Sequence, residues 1–120
     1  MINVKDQIYK ALLKVTENVT DTYPSDDESW KKLPVIIYCE EDNKVVEWTD
    51  EKEDKSYLRY RIEIYDKYST SLTALAVDNE IASLGLKRCL CQDANEPGWK
   101  HKVMRYEGII DVDTQYVYQD

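Results

Sequence analysis

Near its start the chain places Val4, Ile8, Ala11, Leu12, Val15 and Val19 at three-, four- and seven-residue steps, with Lys5, Asp6, Lys10, Lys14 and Glu17 on the other side. That rhythm predicts an amphipathic helix. Asn3 is placed to cap it, Asp6 sets a carboxylate near its positive end, and the helix should end near Val19 to Thr22. Tyr23-Pro24-Ser25-Asp26-Asp27-Glu28-Ser29 reads as an exposed loop, because a proline disfavours a helical residue before it. Trp30 and Leu33 should pin the far end of that loop to the body, and Pro34 should introduce a strand.

Residues 35–40 and 45–49 are rich in Val, Ile, Tyr, Trp and Thr, and the turn-forming group Glu41-Asp42-Asn43-Lys44 between them predicts a β-hairpin. Asp50-Glu51-Lys52-Glu53-Asp54-Lys55 has no apolar residue to hold it to a core and is expected as a mobile or partner-ordered loop. In the next strand Leu58, Tyr60, Ile62 and Ile64 alternate with Tyr57, Arg59, Arg61, Glu63 and Tyr65, one set facing a core. After Ser69-Thr70-Ser71 a second helix carries Ala74, Val77, Ile81 and Leu84, with Leu75 and Ala82 widening the apolar stripe. Gly85 suits the left-handed residue that closes a helix.

Leu86 to Gln92 predicts a strand, Asn95-Glu96-Pro97-Gly98 a turn, and Met104, Tyr106, Ile110 and Val112 one face of a last strand in which Gly108 is placed to mark a bulge. The order is α-β-β-β-α-β-β. Clustered strands with hairpin-length links favour antiparallel pairing, so the expected fold is α+β: a mainly antiparallel β-sheet of about four to five strands with two helices packed on one face.

The chain has 120 residues, 42% hydrophobic and 33% charged, which fits one domain spanning residues 1–120. The longest apolar run, Val35-Ile36-Ile37-Tyr38-Cys39, is far short of the roughly 20 residues of a membrane helix, and the N-terminus lacks a signal-peptide core, so the expectation is a soluble, unexported protein. Cys39, Cys89 and Cys91 cannot all pair within one chain, which fits reduced thiols in a cytoplasm. The net charge of -8 repels phosphate and argues against a broad nucleic-acid face. From Glu17 to Asp54 there are 13 acidic and 4 basic side chains, so one segment holds the excess.

The three cysteines and His101 are donors suited to zinc, but Cys89-Leu90-Cys91 is not a metal knuckle and Cys39 has no partner nearby in sequence. His101 lies between Lys100 and Lys102, as a solvated histidine would. Glu40, Glu41, Asp42, Glu47 and the run from Asp50 to Asp54 read as solvated charge rather than paired acid and base. No glycine-rich phosphate loop or other nucleotide motif occurs. Neither a cofactor nor an enzyme activity is expected. Ten tyrosines without one phenylalanine suit surfaces apolar in body and wet at the tip, and Tyr57, Tyr65 and Tyr68 with Arg59 and Arg61 form a candidate contact strip.

Taken in order, the short opening helix, Pro34-Val35-Ile36-Ile37-Tyr38 leading a hairpin, Tyr57 through Tyr65 ending in Asp66-Lys67, a helix running into Gly85-Leu86-Lys87-Arg88, and Arg105-Tyr106-Glu107-Gly108 form a layout. It resembles the tail terminator or tail completion proteins of long-tailed bacteriophages, also called head-tail joining or neck proteins. Leu86 stands where such proteins often have an aromatic, and Trp30-Lys31-Lys32 has no counterpart. The resemblance implies a structural protein made in a bacterial host cytoplasm and placed in the virion tail or neck, or in a prophage or tail-like particle. It implies a ring, commonly a hexamer, that ends tail polymerisation at the head-proximal end of the tail tube. The partners implied are other copies of the chain, the tail tube protein and the head-tail connector, with DNA only passing through the lumen and no membrane. Glu51, Glu53 and Asp54 would then form an acidic loop facing the channel, and Arg59, Arg61, Tyr65 and Tyr68 an oligomer or tail contact. The alternative is a small acidic intracellular binding module of inhibitor or immunity type, whose acidic face meets a basic partner.

Overall fold

The structure is a computed structural model that describes backbone and side chains at residues 3–46 and 55–111, and backbone alone at 47–49, 52–54 and 117–118. Helix α1 covers Lys5–Leu13, strand β1 Val19–Thr20, a short 3-10 turn Ser29–Lys31, β2 Val35–Thr49, β3 Lys52–Asp66, α2 Ser71–Ala82, β4 Lys87–Asp93, β5 Lys100–Asp111 and β6 Val117–Tyr118. The sheet runs β1-β2-β3-β5-β4, and β6 pairs with β5 beyond the end of β4. Every described pairing is antiparallel except β1 with β2. This is the expected α+β fold, with a sixth strand and one parallel pair added to it.

Both helices lie on one face of the sheet. Ile8, Ala11 and Leu12 of α1 and Ala74, Val77 and Ile81 of α2 bury against Ile36, Tyr38, Leu58, Tyr60, Ile62, Ile64, Met104, Tyr106 and Ile110. The period-two reading of β3 holds residue by residue: Leu58, Tyr60, Ile62 and Ile64 are fully buried.

Several local expectations are corrected, in four regions of the chain. First, α1 ends at Leu13 rather than near Val19. Its apolar rhythm continues because Val15 and Val19 still pack on the same core after the backbone has left the helix, and Asn18 Nδ2 ties that stretch to the carbonyls of Ser29 and Lys32. Asn3 is not the capping residue: Val4 occupies that position, and Asn3 Oδ1 accepts instead from the Lys5 amide.

Second, Glu41 to Lys44 is not a turn. Strand β2 continues through it, and polar residues are tolerated there because one face of this sheet is free of helices. Pairing with β3 steps from Glu40 opposite Tyr60 to Asp42 opposite Arg59, so Glu41 is the extra residue of a β-bulge. The hairpin therefore joins two strands of fifteen residues, and Lys52 to Lys55, expected as loop, begin β3; Asp50 and Glu51 lie outside the described residues.

Third, Leu75 and Ala82 do not widen the buried stripe of α2; both are exposed. Fourth, Gly108 sits in unbroken register opposite Leu58, and the bulge lies on β4 at Cys89 instead, between the Arg88 and Leu90 pairings. Val112 lies outside the described residues.

Gly85 closes α2 as expected, at φ +93°, and its amide donates to the Ala82 carbonyl at 2.9 Å. A side chain there meets the penalty of the left-handed region, so Gly85→Ala should cost about 1–2 kcal/mol in urea denaturation. An unchanged midpoint would mean that the turn relaxes to negative φ.

Candidate functional site

The face of the sheet away from the helices is charged at its centre and aromatic at one end. Along β3 the residues pointing this way are Tyr57, Arg59, Arg61, Glu63 and Tyr65. Arg61 stands directly opposite Arg105 of β5, a like-charge pair that is unfavourable by itself. The bulge solves this by aiming Glu41 between them. Arg105 Nε donates to Glu41 Oε1 at 2.9 Å, Arg61 Nη1 donates to Glu41 Oε2 at 3.0 Å, and Arg59 Nε lies 3.3 Å from Glu41 Oε1.

One carboxylate thus serves three guanidiniums. Burial pushes the Glu41 carboxyl up, but the Arg105 hydrogen bond and the three guanidinium charges outweigh it and hold the group below its ordinary range. Arg61 Nε also lies 3.4 Å from Glu63, which pairs with His101 Nε2 at 2.9 Å. At the far side of this face the Tyr57 hydroxyl donates to Glu107 at 2.5 Å, and that bond, with burial, pushes the phenol up to about 12.

At the other end Tyr65 stacks on His101 with ring centres 4.0 Å apart and packs edge-on against Trp30, which in turn meets Trp99 at 5.4 Å. Trp30 and Leu33 do pin the loop, against Val35, Ile37 and Tyr65. The Asn95 to Gly98 turn is present as expected, with Gly98 at φ +83°.

Of the four residues expected in an oligomer or tail contact, Arg59 and Arg61 share a face and remain partly exposed, as does Tyr57 of the wider strip. Tyr65 shares that face, is 7% exposed, and packs against Trp30 and His101. Tyr68 is off the strand in the turn before α2, where it is 87% exposed. Glu53 and Asp54 are strand residues whose backbone alone is described, and Glu51 lies outside the described residues.

The sequence reading missed a surface on the helix side. Leu72 and Leu75, one turn apart on α2, are 82% and 64% exposed and lie on the chain just after Tyr68. Leu75, Ala74, Asp78, Arg88, Cys91 and Met104 help to line an open groove of about 290 Å³ between α2 and β4. β4 is also the edge of the sheet over most of its length, with only Leu90 half-buried, so it presents unpaired backbone groups. Exposed leucines at three-residue spacing on the side of α2 opposite Ala74 and Val77 are the signal that would have revealed it.

Cys39 is half-buried on β2, and Cys89 and Cys91 are exposed on β4. His101 is held in its ring stack and its bond to Glu63, distant in role from the cysteines. No helix of the described residues is long and apolar enough to cross a membrane. No protein-family model and no curated protein sequence matches the chain.

Proposed function

We propose that the chain is a structural subunit of a long-tailed phage or tail-like particle, which assembles into a ring of about six at the head-proximal end of the tail tube, ends tube growth and joins the tail to the head connector. The observation that carries this reading is a pair of unlike surfaces on opposite sides of one sheet. On one side Leu75 lines the groove beside the edge strand β4, with Leu72 exposed one turn before it on α2; on the other lies the Arg59–Arg61–Arg105 cluster held by Glu41. A ring closes only when one surface of a subunit fits a different surface of its neighbour, and an apolar patch of this kind marks a protein contact. The other support for this reading is the resemblance of the sequence layout, from the opening helix to Arg105-Tyr106-Glu107-Gly108.

Electron microscopy of cognate tail tubes mixed with the protein tests this reading. The expected result is density at one end of each tube and an arrest of elongation; tubes that elongate unchanged contradict it. In the same assay Leu72→Ser with Leu75→Ser should abolish end-binding while changing the denaturation midpoint by less than about 0.5 kcal/mol equivalent, since both side chains are exposed. Arg59→Ala should weaken end-binding in the same way. If Glu51, Glu53 and Asp54 face the lumen, lysine at all three should leave folding intact and hinder DNA passage, read as lost infectivity. Unchanged infectivity would remove these residues from the channel.

A further inference from the structure

The aromatic end of the charged face carries an open pocket of about 280 Å³ lined by Tyr23, Trp30, Tyr65 and Trp99, with Asp27 and Glu96 on its wall. We propose that this pocket binds an alkylammonium cation, and this inference stands independently of the ring.

Four observations carry it. The rings are set as walls rather than as a stack: Tyr23 and Trp30 stand at 87° and 88° to Tyr65, and Trp99 stands at 69° to Trp30. These rings meet edge to face, and all four contribute surface to the pocket, so an ion seated there meets aromatic groups with a negative π quadrupole. The walls are fixed in place, because Trp30 Nε1 donates to the Pro24 carbonyl at 2.9 Å and Tyr65 is clamped by its stack on His101. The charged groups lining the pocket are both carboxylates, so a cation gains from rings and charges together. Finally, Trp99 already attracts a cation within the chain: Lys67 Nζ lies 5.3 Å from its ring centre.

The volume is just under the range of about 300–1,000 Å³ that takes whole small molecules, and it fits a methylated or primary ammonium head better than a drug-sized ligand. An ammonium of this kind comes either from a lysine side chain of a partner protein or from a small quaternary amine.

The test uses the full chain and nuclear magnetic resonance. The indole N–H signals of the protein and the N-methyl signal of added choline are followed, with the tert-butyl analogue of choline, uncharged carbon in place of nitrogen, as the control. Choline should bind saturably, its methyl signal should move upfield over the ring faces, and it should bind at least about fivefold more tightly than the neutral analogue. Glu96→Gln, at an exposed position, and Tyr23→Leu, at a ring 60% exposed, should each weaken binding severalfold while the rest of the spectrum stays folded. Nα-acetyl-lysine methylamide and its ε-trimethyl form separate the sources. Tighter binding of either than of choline assigns the pocket to a partner's lysine, and tighter binding of choline assigns it to a small amine. Equal binding of the neutral analogue, binding unchanged in both variants, or no saturable binding of any cation overturns the proposal.

Discussion

Replacing Tyr106 by alanine should destabilise the protein by about 3–5 kcal/mol in urea denaturation, the largest loss expected of any single substitution considered for this chain. Tyr106 of β5 and Tyr60 of β3 are direct cross-strand partners beneath the helices, and among the described residues they are the largest fully buried side chains. Removing one such aromatic costs about 3–5 kcal/mol through lost burial and the cavity left behind, against a total stability of about 5–15 kcal/mol for a domain of this size. The hydroxyl is a smaller part of that loss. It donates to Asp78 Oδ1 of α2 at 2.8 Å, and Asp78 also lies 3.4 Å from Arg88 of β4, so one carboxylate ties helix, central strand and edge strand together. Burial, reinforced by Asp78, pushes the Tyr106 phenol far above its ordinary range and keeps it neutral as a donor. Tyr106→Phe should therefore cost about 1 kcal/mol in urea denaturation, because Asp78 keeps Arg88 and has access to water. A phenylalanine variant as damaged as the alanine variant would show that the hydroxyl, not the ring, holds the core.

The second large effect is expected at Glu41. Its removal leaves Arg59, Arg61 and Arg105 facing one another with their shared carboxylate gone. Breaking a fully buried pair costs about 3–5 kcal/mol, but these guanidiniums are 32–43% exposed and regain water, so about 2 kcal/mol is expected for Glu41→Ala. Single arginine replacements should cost less than about 1 kcal/mol, since each leaves two charges on the carboxylate. The same group predicts a pH dependence. Its carboxyl is depressed in the folded state below its reference value of 4.5, so its stabilisation is fully present above that value and is lost as pH falls through the folded value. The stability gap between wild type and Glu41→Gln should therefore be constant near neutrality and shrink below pH 4.5. A gap independent of pH would mean that Glu41 acts through shape alone.

Glu41 also marks the boundary of what local sequence reveals. The β3 alternation was legible because burial on one face imposes a strict period of two, and Gly85 was legible because a positive φ has few acceptable residues. Glu41-Asp42-Asn43-Lys44 misled because turn chemistry and a polar strand face use the same residue types. A β-bulge can place a carboxylate wherever three arginines converge, and those arginines lie up to 64 residues away. The absence of glycine and proline from that tetrapeptide was the available hint against a tight turn.

Strand β1 was hidden for a different reason. Its two residues pair in parallel with Ile36 and Ile37, and Val19 keeps the helical spacing of the core side chains before it. At the candidate surfaces, parity correctly grouped Arg59 and Arg61 but could not show that Trp30, from a distant segment, buries Tyr65. Leu75 is expected to widen the apolar stripe because it neighbours Ala74 in an apolar run, whereas the structure leaves both Leu72 and Leu75 exposed.

The proposed ring requires contacts between unlike surfaces of neighbouring copies of the chain. The most direct test is the native mass of the purified protein over a range of concentrations, by sedimentation velocity. The account predicts a closed assembly of about six subunits that dissociates on dilution and does not form in the Leu72→Ser, Leu75→Ser variant. A tight two-fold dimer that persists at every concentration would contradict it, because a two-fold contact pairs one surface with itself and withholds it from the head-to-tail contact that a ring requires.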